Sequence, residues 1–484
     1  MVGLRELEEA RCTRRGFVLA AGAAVAGLAL PRRAVGAQAA PRFSTEPAWQ
    51  LPGLRVGVPP NGTAPGYVVA APFTLGSPKD APVSGPVLLD DTGDPVWYLP
   101  LPHVQAQNLR VQSYEGKPVL TWYEGTPGGL YGGSCVIYDP TYHELKRVRG
   151  GHGLSCDLHE FILTAKGTAL LAIAASVPQT SGAPVVEGIV QEVDVRTGRV
   201  LFEWHSLAHV PVSESFVPGV TTEHNIDYFH LNSIDVDADG HLLVSARHTS
   251  TIYKVHRHTG AVLWRLGGKR SDFSLGPGAA FNYQHDARRQ HDGTLTVFDN
   301  EATEDVQVEP YSRAIRLRFD EQRKTVSLVA DYVPAERRSS VAMGNVQVLP
   351  DGGVFVGWGT AGGWTEFASD GSVRYDASFA DGRASYRVLR SPWQGTPRSR
   401  PAIVLARAPG GGLTARVSWN GATGVASWRL KGGGNPRSLA RLALAPRTGF
   451  ETALAVSAAP AHVAVEALDA RGRVLGSTPT IAVG

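Results

Sequence analysis

Cysteine is scarce in this chain, three residues in 484, and no two of them are neighbours. That excludes a disulfide-dense scaffold and any chemistry that needs a vicinal cysteine pair. Charge is sparse too. Charged residues make up 19%, the formal net charge is +3, and no run of Lys and Arg exceeds a few residues. Nothing in that balance suits a nucleic-acid partner. Beyond residue 39 no apolar stretch is long enough to span a bilayer as a helix. What is plentiful is glycine, 55 residues, with 33 prolines and a hydrophobic content of 43%. This is the composition of a folded chain rich in turns and short strands. The length exceeds one ordinary hydrophobic core, so a large repeat domain with a smaller companion is expected.

The first residues read as a targeting segment. Thr13-Arg14-Arg15-Gly16-Phe17 is a twin-arginine pattern, residues 18–30 are apolar, and Ala37-Gln38-Ala39 is a small-residue cleavage signal. A twin-arginine leader over 1–39 predicts a soluble mature protein exported to a periplasm or beyond, with no membrane attachment after cleavage. Cys12 is lost with the leader. Cys135 and Cys156 remain as an even pair in an oxidising compartment and are expected to form a disulfide, the alternative being two buried free thiols.

The middle of the chain repeats. Asn108 precedes Gly116, His159 precedes Gly167, Asn232 precedes Gly240, His285 precedes Gly293 and Asn345 precedes Gly353, each by eight residues, with Gly352 an alternative turn in the last. Each unit reads polar residue, apolar strand, turn glycine, apolar strand. Outer hairpins follow in TGDPVWYL, TGRVLFEW, HTGAVLWRL and DGSVRYDA, three of them carrying Trp97, Trp204 or Trp264. A further half-repeat begins near Gly66. The pattern predicts an all-β chain: a β-propeller of about six blades over 40–398. After Trp393-Gln394-Gly395 the composition turns to Pro, Arg and Ser. Short alternating runs then predict an immunoglobulin- or fibronectin-like β-sandwich over 399–484.

Matched repeat positions in a propeller meet around its axis. Asn108, His159, Asn232, His285 and Asn345 are therefore predicted to ring one rim of the central channel, with His230 on the same strand face as Asn232 and Gln347 on that of Asn345. Converging histidines serve either a metal or metal-free nucleophilic and acid–base chemistry. Arg247, in VSARHTS, bears on the choice. Facing the channel it would favour an anionic group such as sulfate or phosphate over a divalent cation; facing outward it would be a surface ion pair.

The motifs DLHEF, DYFHLNSI, SARH, QHDAR, TVFDN, GNVQVLPDGG and GWG, with SWNGAT and SWRL near the end, resemble the arylsulfotransferase propeller family, especially its actinobacterial and fungal branch. The likeness runs from near Phe43 to the C-terminus. It implies a six-bladed propeller that moves a sulfuryl group from an aryl sulfate to a phenol, without a nucleotide sulfate donor, metal or other cofactor. It also implies that His285, in the QH motif, is the nucleophile and becomes sulfohistidine. His159, His230, Asn232 and Arg247 complete the implied catalytic set, and the rim residues Asn108, Asn345 and Gln347 are expected to contact substrate. The chain departs from the family pattern at Asp286, after the nucleophile, and in its leader. A quinone enzyme, a metal-dependent propeller hydrolase and an exported binding or scaffold protein are the competing classes.

Overall fold

The computed structural model describes residues 38–76, 83–126, 131–179, 183–217 and 226–483, together with Gly36. Almost all of the expected leader lies outside the described residues. Gln38, at its end, donates its N–H to Leu54 O at 2.7 Å.

The described chain is all β. Its only helical segments are four single turns of 3-10 helix. Among the described residues six sheets lie between Leu54 and Ser391, antiparallel except for the short strands Ile226–Asp227 and Ser274–Leu275, which each add a parallel pair. The second sheet shows the plan: Gln105–Tyr114, Lys117–Gly125, Ser134–Tyr138 and Glu144–Val148 run as a simple meander. The strand at the corresponding edge, the opening strand, is Phe161–Leu163 in the third, Leu231–Val236 in the fourth, His285–Arg289 in the fifth and Asn345–Val348 in the sixth. The first sheet is completed from both ends of the chain: Tyr67–Ala70 pairs with Val388–Ser391. Leu54–Val58 likewise adds an outer strand to the sixth sheet. The opening strands form a closed circuit, with Val388–Ser391 lying between Asn345–Val348 and Gln105–Tyr114, and with Thr168–Val177 making the contact between the third sheet and Leu231–Val236.

The turn glycines explain the hairpins. Gly116, Gly167, Gly240 and Gly293 all have φ between +74° and +84°, a conformation glycine adopts without a Cβ penalty. In the last repeat Gly352 takes that conformation, φ +81°, so the offset there is seven. Inner strands are covered on both faces, and Leu242–Ala246 and Thr251–Val255 are buried throughout. They consequently read as continuous apolar runs. Outer strands are half exposed and alternate. Neighbouring sheets lock through their outer tryptophans. Trp204 Nε1 donates to Gly260 O of the next sheet's outer turn at 2.9 Å, and Trp264 Nε1 to Glu321 at 3.2 Å.

Residues 402–482 form two further sheets around one core of Leu413, Val417, Trp428, Leu430, Val463 and Val465. They dock on the outer strand of the first sheet. Asn420 Oδ1 accepts the Tyr98 N–H and Asn420 Nδ2 donates to Tyr98 O, at 3.0 and 2.9 Å. Phe450 packs on Phe43 and Trp49, each ring centroid 4.7 Å away.

The expected disulfide is absent, which corrects that expectation. Cys135 and Cys156 are free, fully buried thiols in the apolar layer between the second and third sheets. Cys156 Sγ donates to Val148 O at 3.6 Å. Burial among apolar side chains pushes the Cys135 thiol up, the setting of an inert packing cysteine.

Candidate active site

The innermost strands bulge where the site residues stand. Pairing register shifts between Gln107 and Arg110, between Leu231 and Ser233, and between His285 and Arg288. Asn108, His230 and Asp286 have φ of +59°, +55° and +53°. Bulges of this kind re-aim side chains. Strand parity therefore does not hold across His230 and Asn232: His230 lies just before its strand and is turned inward by its own backbone.

The structure brings together His159, His230 and His285, with His248 added. The His159 ring lies 4.9 Å from that of His230, and the His230 ring 4.6 Å from that of His248. Tyr386 stands between His159 and His285, its ring 5.5 and 6.3 Å from theirs. Each Nδ1 faces an oxygen. His285 Nδ1 meets Asn300 Oδ1 at 2.7 Å, and the amide nitrogen of Asn300 is spent on Ser340 O and Met343 O. Asn300 therefore presents its oxygen, and His285 carries its proton on Nδ1. The Met343 N–H donates to His285 Nε2 at 3.1 Å, so Nε2 holds a lone pair. His230 Nδ1 meets Asp227 Oδ2 and His248 Nδ1 meets Asp227 O, both at 2.5 Å. His159 Nδ1 lies 3.2 Å from Asp157 Oδ2 but is not aligned for a hydrogen bond.

Three of these imidazoles, His285, His230 and His248, are held neutral. Burial and then Arg247 depress His285 well below its ordinary value, against a raising contribution from Asn300. Burial, His159 and Arg247 do the same to His230. Burial and His230 bring His248 down to about 3. Arg247 faces inward, with 6% of its side chain exposed. It donates to Glu304 and to Val341 O at 2.9 and 2.7 Å, and its Nη1 lies 3.4 Å from His248 Nε2. Its Nε has no partner, nor has Asn232 Oδ1. Buried polar atoms without partners are costly, and the Arg247 Nε is a donor left free for an anionic ligand.

Below the histidines an ionic layer crosses the channel. Arg387, fully buried, donates to Asn108 Oδ1, His159 O, Asn232 O, Glu160 and Asp286 at 2.8–3.2 Å. Arg288 pairs with Asp286 at 2.8 Å and also with Glu160, and Arg110 with Glu160 at 2.7 Å. Burial would raise Glu160, but Arg288, Arg387 and Arg110 hold its carboxyl below the ordinary range. Burial is overcome in the same way at Asp286, by Arg288, Arg387 and Arg110.

The amides divide. Asn232 Nδ2 donates to Gln284 O at 2.6 Å and Asn108 Nδ2 to His159 O at 3.2 Å. Asn345 Oδ1 accepts the Val388 N–H at 2.9 Å. Each braces the next inner strand. Gln347 does likewise, exchanging two bonds with the Arg390 backbone at 2.8 Å. It lines a separate cavity of about 470 Å³ with Arg110, Asp286 and Arg288, a cavity no histidine of the cluster reaches. A narrow pocket on the histidine side is lined by Tyr131, Asp157, His159, Glu187, Asp227 and His230.

Sequence reasoning missed Asp157, Asp227, His248, Asn300, Tyr386 and Arg387. The aspartates had a signal, standing two and three residues before a candidate histidine. Arg387 had none, because RVLRS carries no turn glycine and does not read as an inner strand. Among the described residues, one group has a metal-like donor set, Asp227, His230 and His248, with atoms within 4.8 Å of one another. Both histidine Nδ1 atoms are already spent on Asp227, and the Arg247 guanidinium adjoins His248, an environment suited to an anion.

No curated protein sequence matches the chain. Several solved structures are similar at low identity. One is a protein of unknown function from Bacteroides caccae, 14% identical, covering 68% of this chain and 100% of that one at a TM-score of 0.43. Another is a catalytically inactive virginiamycin B lyase from Staphylococcus aureus, 9% identical over 75% and 95% at 0.35. A third is hydrazine synthase from Kuenenia stuttgartiensis, 12% identical over 68% and 98% at 0.36. At these scores none bears on the chemistry. The arylsulfotransferase (ASST) family pattern, in contrast, matches residues 110–380, more than half the chain and all four clustered histidines, and the chain belongs to that family.

Proposed function

We propose that this chain is an exported arylsulfotransferase that moves a sulfuryl group from an aryl sulfate to a phenol through a sulfohistidine on His285. On this reading residues 40–398 are a six-bladed β-propeller, 399–484 an immunoglobulin-like sandwich, and 1–39 a twin-arginine leader. The observation that carries it is the state of His285: its Nδ1 faces the Asn300 oxygen, its Nε2 lone pair accepts the Met343 N–H, and burial and the Arg247 charge keep the ring neutral.

His285 Nε2 attacks sulfur, and the bond from sulfur to the aryl oxygen breaks with its electron pair leaving on the phenoxide. Attack frees the Met343 N–H, which then donates to a sulfuryl oxygen. Arg247 exchanges Val341 O for a second oxygen, and its unpartnered Nε suits a third contact. One preorganised donor of this kind lowers the barrier by about 3 kcal/mol. A phenol then attacks sulfur and gives up its proton to a neighbouring imidazole lone pair, the N–S bond returns its pair to Nε2, and the aryl sulfate product departs.

The test is release of 4-nitrophenol from 4-nitrophenyl sulfate in the presence of an acceptor phenol. The expected outcome is phenol-dependent release that survives chelators and is lost in His285→Ala, with circular dichroism unchanged. Comparable turnover in the folded H285A protein would remove His285 from the mechanism.

A further inference from the structure

Two aspartates carried by the histidine motifs have no role in the steps above. Both dyads are built alike at the backbone: Asp157 Oδ1 accepts the His159 N–H at 2.8 Å and Asp227 Oδ1 the His230 N–H at 3.0 Å. They differ at the ring. Asp227 Oδ2 takes the His230 Nδ1 proton in an aligned bond of 2.5 Å, whereas Asp157 leaves His159 Nδ1 unaligned at 3.2 Å. His159 is also wedged edge-on between His230 and Tyr386. Asp227 keeps 22% of its side chain exposed and meets the Tyr131 hydroxyl at 3.3 Å. Through its carbonyl it also fixes His248. One residue thus sets the tautomer of two imidazoles.

We infer that Asp227 is the positioning carboxylate of the proton-transferring histidine, His230, and that this pair, not Asp157–His159, takes the acceptor's proton. The inference rests on the sulfuryl-transfer reading. With Nδ1–H committed to Asp227, His230 presents a lone pair on Nε2. As the acceptor oxygen bonds to sulfur, the phenolic proton moves to that Nε2, and the carboxylate stabilises the imidazolium formed. The proton then passes to solvent, so that His230 is neutral again before the next donor, whose phenoxide takes its proton from water.

The experiment is single-turnover transfer from the sulfated enzyme to para-substituted phenols of graded acidity, comparing wild type, Asp227→Asn, Asp157→Asn and His230→Gln. An ionised phenol needs no base. D227N is therefore expected to slow weakly acidic phenols by about 10²-fold or more and acidic ones progressively less. Sulfation by 4-nitrophenyl sulfate, whose leaving group needs no proton, should change far less. D157N should show the same penalty for every acceptor. H230Q should reproduce the graded profile, and D227N should add no further grading in that background. A penalty in D227N or H230Q that is uniform across acceptors, or a graded one in D157N, overturns the assignment. H230Q alone decides the matter if D227N does not fold. Absence of any transfer by the wild-type protein is a separate result and rejects the underlying reading.

Discussion

At the scale of single residues, burial and cationic or imidazole neighbours keep His230, His248 and His285 neutral, and this has a consequence for stability. Once unfolded, His230, His248 and His285 take up protons below their ordinary value of 6.5; folded, they refuse them until far lower, His248 until about 3. The unfolded state therefore binds more protons, and stability falls as pH drops below 6.5. His205 opposes this: despite the burial that lowers it, Glu187 and Glu203 raise it. Urea unfolding between pH 7 and 5 should show a steep loss of stability, reduced in His248→Asn by about one proton's share. A flat profile would mean that the cluster is already protonated in the native protein.

Structural elements decide how much of this could be read in advance. The turn glycines and apolar runs made the hairpins legible, because a left-handed turn leaves a glycine and a doubly covered strand leaves a run such as LLVSA. The convergence of His159 and His285 was legible because matched repeats place matched residues around one circuit. The bulges were not legible: an unpaired residue leaves no compositional mark, so the parity argument for His230 fails even though His230 joins the site. Gln347 shows the opposite case. Its strand is regular and its face is as expected, but two residues of rise carry it about 6.6 Å along the strand, to the other side of the ionic layer. That layer itself depends on Arg387, whose guanidinium ties the opening strands of several sheets. Arg387→Met should cost about 3–5 kcal/mol, since it leaves Glu160 and Asp286 short of a buried partner. Equilibrium denaturation measures it, and a loss under about 1 kcal/mol would show the layer to be solvated in solution.

Across the whole molecule, the circuit closes through Val388–Ser391, which supplies the inner strand of the sheet begun at Tyr67. A chain ended at Arg383 should not fold cooperatively, because Arg387, Tyr386 and that strand are all lost. A chain ended at Arg398 keeps the circuit but bares the Tyr98 strand edge and the Phe43–Trp49 surface on which the last two sheets dock. It should fold, with transfer activity retained and a raised tendency to aggregate. Cooperative unfolding of the shorter chain would contradict this account of closure.

The central claim is that residues brought together around that circuit let His285 carry a sulfuryl group. The direct measurement is to quench the protein with 4-nitrophenyl sulfate in the absence of acceptor and map the added mass by tandem mass spectrometry. The account predicts one sulfuryl group on the His285 peptide, discharged when a phenol is added and absent from H285A. A sulfuryl group on any other residue, or turnover with His285 unmodified throughout, would contradict it.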